Sequence, residues 1–243
     1  MYEPRTYRSW MHNKELISFV VVVRETDLHI SACKNLEKEA KDAVTRCRLP
    51  LEQYIESDPP FLYALEPYSV ADDAPPIVKE MSHAAAKVCV GPMAAVAGAV
   101  AEFVGNELLR YSPEVIVENG GDIFLKMTTN CHIGIYAGES SPFTGKIALE
   151  IYPEDMPVGV CTSSGTVGHS LSLGRSDAVT VLARSTSLAD AAATALGNRI
   201  KSPQDIAAAI DYAQTIPGLS GILLIKDDNM GLWGNVKIIS LKS

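Results

Sequence analysis

No charged side chain occurs between Val88 and Ala101, and this gap constrains the fold more than any other feature of the chain. A stretch of that kind must be buried. It is shorter than the roughly 20 apolar residues that a bilayer-spanning helix needs, and Gly91, Pro92 and Gly98 interrupt it. It therefore predicts two consecutive helices, 77–89 and 93–109, broken at Gly91-Pro92. The second is rich in alanine and glycine and so suited to close packing at the centre of a water-soluble fold.

Around that centre the hydrophobic period changes from element to element. Residues 19–23 and 28–32 read as β-strands joined by Arg24-Glu25-Thr26-Asp27 into a hairpin. Leu36, Ala40, Ala43, Val44 and Cys47 recur at helical spacing and predict a helix over 35–48, ended by Pro50, with a short second helix over 51–56. Residues 58–76 hold five prolines and the pair Asp72-Asp73, and predict a connecting loop that could act as a mobile flap. Beyond residue 110, short strands are expected at 115–117, 123–127, 133–136, 146–152 and 178–183, as a curved antiparallel sheet. Helices over 188–196 and 203–216 follow, the latter with Ser202 as N-cap and Pro203 at its first position. Strands at 221–225 and 236–241 close the chain.

These 243 residues, with 47% hydrophobic and 21% charged, form one domain of α+β class. A formal net charge of -8 with no basic block argues against nucleic acid or an anionic membrane as the main partner. Cys33, Cys47, Cys89, Cys131 and Cys161 are scattered and form no C-x-x-C pair, so they read as reduced thiols of a cytoplasmic protein. The N-terminus lacks the apolar core of a signal peptide.

Three segments can carry chemistry. Asn119, Gly120, Gly121 and Asp122 lie between two strands, where paired glycines allow positive φ and close ligand approach, and where a plain hairpin turn is the simpler reading. Thr162, Ser163, Ser164 and Gly165, within the run from Cys161 to His169, put hydroxyls and amides on a glycine-punctuated loop that could donate to phosphate, or could simply be hydrated. Cys161 with His169 could form a nucleophile–base pair, although a cysteine after Gly159-Val160 more often sits buried in a strand. A triad of Ser164, His169 and Asp177 lacks a G-x-S-x-G elbow. Asp190 and Thr194 are one helical turn apart, so a carboxylate and a hydroxyl share a face suited to Mg²⁺, while Ser187-x-x-Asp190 reads equally as a capping box.

Taken in order, these segments resemble the ApbE superfamily, whose best-known members are Mg²⁺-dependent FAD:protein FMN transferases. The likeness spans about 91–197. Tyr7-Arg8, Glu25-Thr26-Asp27-Leu28 and the run from Cys161 to Leu173 resemble a shorter, uncharacterised ApbE-like branch of archaea and anaerobic bacteria. The resemblance implies two intertwined T-fold-like subdomains, about 1–110 and 111–243, each an antiparallel sheet covered by helices, with the ligand between them. It also implies Mg²⁺ on Asp190 and Thr194, FAD or another pyrophosphate-containing nucleotide near Asn119–Asp122 and 162–165, and His169 as acid or base. Two features depart from the family pattern. Ala97 stands where the transferases carry a lysine, and His169-Ser170-Leu171-Ser172-Leu173-Gly174-Arg175 replaces H-x-x-D-P-x-x-G, with Asp177 the nearest substitute for the aspartate. The expected function is thus Mg²⁺-assisted nucleotide binding, with or without transferase or hydrolase turnover, in a chain that could self-associate. A non-catalytic structural or assembly protein is the alternative.

Overall fold

A computed structural model describes residues 16–166 and 174–241. Eleven strands and six α-helices are assigned among them. The chain starts with the hairpin β1 (Ile17–Val23) and β2 (Thr26–Ala32), whose turn places Arg24 at a φ of 52°. Helices α1 (Glu37–Ser57), α2 (Pro60–Tyr63), α3 (Pro76–Lys87) and α4 (Val96–Leu108) follow. Then come β3 (Val115–Asn119), β4 (Asp122–Lys126), β5 (Cys131–Gly134), β6 (Ile147–Ile151), β7 (Val158–Ser163) and β8 (Ala178–Ala183). Helices α5 (Thr186–Gly197) and α6 (Asp205–Gln214) precede β9 (Leu219–Lys226), β10 (Asn229–Gly234) and β11 (Ile238–Ser240).

Eight strands form one sheet in the order β1-β2-β3-β4-β7-β8-β9-β10, every neighbouring pair antiparallel. Because β2 pairs with β3, from Leu28↔Asn119 to Ala32↔Val115, this sheet runs through both halves of the sequence. The strands alternate their side chains between its two faces. On one face Leu28, Val117, Phe124, Cys161 and Val181 pack with the helices into the main core. On the other, Ile116, Ile123, Leu125, Val160 and Leu182 pack against a second sheet, β11-β6-β5.

Several local expectations change. Helix α1 runs through Pro50 to Ser57 as one element. Proline removes one backbone donor and crowds the preceding turn, but Ala40, Ala43, Val44, Cys47 and Leu51 are all buried on one stripe, and that packing holds the helix together. The proline-rich segment is anchored: Phe61 is fully buried, Tyr54 and Tyr68 pack edge-on against it, and both phenols donate to Asp58, at 3.1 and 2.8 Å. Residues 158–163 form β7, so Cys161 is a strand residue, while Thr162 and Ser163, expected on the hydroxyl-rich loop, belong to the strand as well. Ser202 does not cap α6; the Asp205 carboxylate instead accepts from the backbone N–H groups of Lys201 and Ser202, at 2.9 and 2.8 Å. Among the described residues, no single helix is long and apolar enough to cross a membrane.

Candidate functional site

Helices α4 and α5 cross where α4 has no room for a side chain. A Cβ on Gly98 would lie 2.4 Å from the Thr186 carbonyl oxygen and 2.8 Å from the Asp190 Cβ. This contact turns the first turn of α4 toward Asp190. The Gly98 N–H donates to Asp190 Oδ2 at 2.8 Å, and the Ala97 N–H reaches the same carboxyl. Asp190 thus caps α4, a helix some ninety residues away in sequence, and its own helix is capped by the Ser185 hydroxyl, which accepts from Leu188 N–H at 3.1 Å. The relation is reciprocal. Glu102, on α4, accepts from the Thr186 and Ser187 N–H groups at 2.8 and 3.2 Å, satisfying the first donors of α5. Burial raises the Glu102 carboxyl, and the Ser187 N–H draws it back.

The sheet beneath this crossing supplies a second acid. Asn119 and Asp122 are the last register pair of β3 and β4, and Gly120 and Gly121 close the turn between them at φ 68° and 105°, as a two-residue hairpin requires. Glu118 Oε1 fixes the turn by accepting the Gly121 N–H at 2.8 Å. Asp122 is a register partner of Cys161 on β7 and shares its face, the one that meets α5. Its carboxyl accepts from the Thr162 N–H, and the neighbouring Cys161 thiol donates to the Thr186 carbonyl at 3.4 Å.

Asp122 and Asp190 are both buried, and no lysine or arginine among the described residues pairs with either. Burial therefore pushes the Asp190 carboxyl up to about 7, against the pull of the Gly98 and Ala97 N–H groups. Asp122 is driven well above the usual carboxylate range by burial, with the negative charge of Asp190 and then Glu118 adding to it. Cys161 is raised well above an ordinary thiol by burial and by the same two aspartates. It is a packed, protonated strand residue, not a thiolate nucleophile. Two acids in one apolar enclosure either retain a proton or take up a cation.

The remaining sequence-predicted residues divide. Thr162 lies on the face of the sheet opposite the acids, and its hydroxyl pairs with that of Thr180 at 2.9 Å; only its backbone N–H serves Asp122. Ser163 is on the acid-bearing face, near Gly197 at the end of α5. The Ser164 hydroxyl accepts the Thr166 N–H at 3.1 Å, and the Gly165 N–H donates to the Ser176 carbonyl at 2.9 Å, so this loop closes on itself. Thr194 is one turn beyond Asp190 and partly exposed. Asp177 binds the turn between β9 and β10, accepting the Asp227 N–H at 2.6 Å and pairing with Lys226 at 3.5 Å. His169 lies outside the described residues.

One feature has no signature in the sequence. A cleft of about 530 Å³ is walled by Leu51, Ile55, Leu62, Met93, Val96 and Val100, with Glu25, Glu52 and Glu56 also lining it; it reaches Ala97 and Asn119, neighbours of the acid-bearing segments, but not the acids themselves. Ala97 and Asn119 are joined by a bond from Asn119 Nδ2 to the Ala97 carbonyl at 3.0 Å. Arg48 at its rim is already occupied, donating to Glu25, Glu52 and Thr26. The cleft is thus partly apolar in its walls, polar at its mouth, and contiguous with the turn that carries Asp122.

A family model described as "AbpE bacteria" matches residues 8–227. A UPF0280 protein of Methanocella arvoryzae is 44% identical over 215 residues, covering 88% of this chain and 87% of the relative. One of Methanocaldococcus jannaschii is 40% identical over 222 residues, covering 89% and 90%. Among solved structures, the apo flavinyl transferase ApbE of Pseudomonas stutzeri aligns over 90% of this chain and 94% of its own, with a TM-score of 0.55 at 12% identity. A mutant of the flavin transferase ApbE of Vibrio cholerae aligns over 90% and 97%, with a TM-score of 0.55 at 16% identity.

Proposed function

The chain belongs to the AbpE bacteria family and has the α+β fold of the ApbE flavin transferases, and from that premise we propose that it binds a flavin, or another pyrophosphate-containing nucleotide, together with Mg²⁺. The observation that carries this reading is the pair of buried carboxylates, Asp122 and Asp190, with no lysine or arginine partner among the described residues, near a cleft whose walls are partly apolar. In this reading the ring system lies against Met93, Val96 and Leu51, and Asn119, which also lines the cleft, leads into the turn that carries Asp122. The pyrophosphate then faces the Asn119–Asp122 turn and the Ser163 end of β7.

The donor set suits the metal. Asp190 has one carboxylate oxygen on the Gly98 N–H and lone pairs to spare, and Asp122 and the Thr194 hydroxyl add further hard oxygens. Among the described residues no group of three or more His, Cys, Asp or Glu side chains is placed to hold a metal ion, so in this reading water and ligand phosphate complete the shell, as is usual for Mg²⁺. When bound, the ion supplies positive charge that offsets both the aspartates and the phosphates. The chain's own part is to hold the ring in the cleft, direct backbone N–H groups and hydroxyls at the phosphate, and keep both carboxylates dry. Five free thiols fit a reducing, cytoplasmic setting.

Turnover is a narrower matter. Ala97 presents only a methyl and its backbone at the cleft, so we expect little or no transfer of FMN to a serine or threonine of an acceptor peptide. Robust transfer from FAD and Mg²⁺ would overturn that. The binding reading is tested by calorimetric titration of FAD, FMN, ADP and pyrophosphate, with and without Mg²⁺. The wild type should bind at least one of them on the order of tenfold more tightly with the ion. Asp190→Asn keeps an acceptor for the Gly98 N–H, so it should abolish that metal dependence while the melting temperature holds. Binding that ignores Mg²⁺ throughout, or a variant that loses only stability, would leave Asp190 as a helix cap and nothing more.

A further inference from the structure

The two edges of the large sheet are built differently. At one, β10 contains Gly231 and Gly234, the latter at φ 79°, and α6 packs on it through Ile206 and Ile210. At the other, β1 has no charge, proline or glycine from Ile17 to Val23, and it pairs with β2 without a register shift from Ile17↔Ala32 to Val23↔Thr26. Edge strands ordinarily carry at least one of those features, because a regular apolar edge is a template for another strand. Here Ile17, Val20 and Val22 are 48, 48 and 59% exposed, and among the described residues no strand lies on the outer side of β1.

We propose that β1 is the interface with a second copy of this chain, the two β1 strands pairing antiparallel about a two-fold axis at Val20. The strand is close to its own complement in that register: Val20 meets Val20, Phe19 meets Val21, Ser18 meets Val22, and Ile17 meets Val23. No like charges are opposed and no apolar residue faces a charged one, the condition for an isologous contact. Phe19 and Val21 extend the buried face that α1 covers, while Ser18, Val20 and Val22 join their counterparts in a continuous apolar strip on the other face. The edge N–H and C=O groups find partners at the same time. The two eight-stranded sheets become one.

Sedimentation of the full chain over micromolar concentrations tests this, with the dimer expected. Val20→Lys sets two ammonium groups against each other at the axis yet occupies an exposed position in the single chain, so it should give a monomer with unchanged circular dichroism and melting. Val20→Cys should give, on mild oxidation, a disulfide joining the position-20 thiols of two chains, identified by peptide mapping that separates it from links through Cys33 or Cys89. A wild type that stays monomeric, a lysine variant that stays dimeric, or a failure to form the position-20 link would each overturn the assignment. The last result together with a monomer would mean that the edge is covered by the chain's own residues.

Discussion

Two acidic clusters in this protein have opposite electrostatic fates. On the small sheet, Glu150 is surrounded by Lys237, Asn130, Tyr152 and His132, with Lys237 at 2.6 Å, and these partners, Lys237 foremost, pull its carboxyl down to about 2. Under the α4–α5 crossing, Asp122 and Asp190 have backbone N–H donors and each other, and burial drives both upward. The first cluster is complete within the chain. The second has no lysine or arginine partner among the described residues, the observation on which the proposed binding site rests.

Four changes would break or sharpen that contrast. The largest effect should come from Gly98→Ala, whose new methyl meets the Thr186 carbonyl and the Asp190 Cβ. Overpacking against backbone should cost about 3 kcal/mol, read from urea unfolding, and should also remove Mg²⁺-dependent binding. Next is pH. An acid whose folded pKa lies above its unfolded value binds more protons folded than unfolded, so Asp190 favours the folded state fully below about pH 4 and loses that advantage as pH rises through about 7. The metal-free protein should lose stability steadily across that window, with Asp190→Asn flattening the profile and Mg²⁺ at pH 8 restoring stability. A profile that rises from pH 5 to 8 without metal, and is unchanged in the variant, would count against the pair.

Glu102→Gln should have a smaller effect. It keeps one acceptor for the Thr186 and Ser187 N–H groups but removes the charge at the α5 N-terminus, and about 1 kcal/mol is expected. The smallest belongs to Glu150→Gln, which should leave the urea midpoint at neutral pH nearly unmoved, since exposed pairs contribute little. Its signature lies at acid pH and has the opposite sign to that of Asp190. Stability from Glu150 is present above its unfolded pKa and is lost as pH falls toward 2.

The parts of this arrangement that follow local rules are legible in the sequence. The β1–β2 hairpin, the buried α4 and the Asn119–Asp122 turn rest on alternation, lack of charge and paired glycines. Residues 158–163 mislead because VGVCTS mixes a glycine with hydroxyls, and the strand is held by β4 and β8 on either side, not by its own propensity. Asn229–Gly234 escapes notice for a similar reason, as a glycine-bearing edge strand. The capping box read from Ser187 and Asp190 is not formed, since Ser185 caps α5, and the spacing cannot reveal that Asp190 caps α4 instead, because the partner amides lie 92 positions away. The same holds for the face on which Thr162 falls, which depends on the register of β7. The cleft, assembled from four separate segments, leaves no linear trace.

The exchange of caps between α4 and α5 also bears on how the chain reaches its native state. Glu102 and Thr186 are 84 positions apart, and so much chain must be ordered before either contact forms. Loop-closure entropy opposes such contacts until they reward it together. The amides held by Asp190 and by Glu102 have those partners only once the two helices meet, so the chain up to residue 110 should not acquire its full stability as it leaves the ribosome. The α4–α5 crossing should instead be a late, all-or-none step, with the hairpin β1–β2 waiting for β3 until then. Slow folding is the expected kinetic counterpart of burying two aspartates between distant helices.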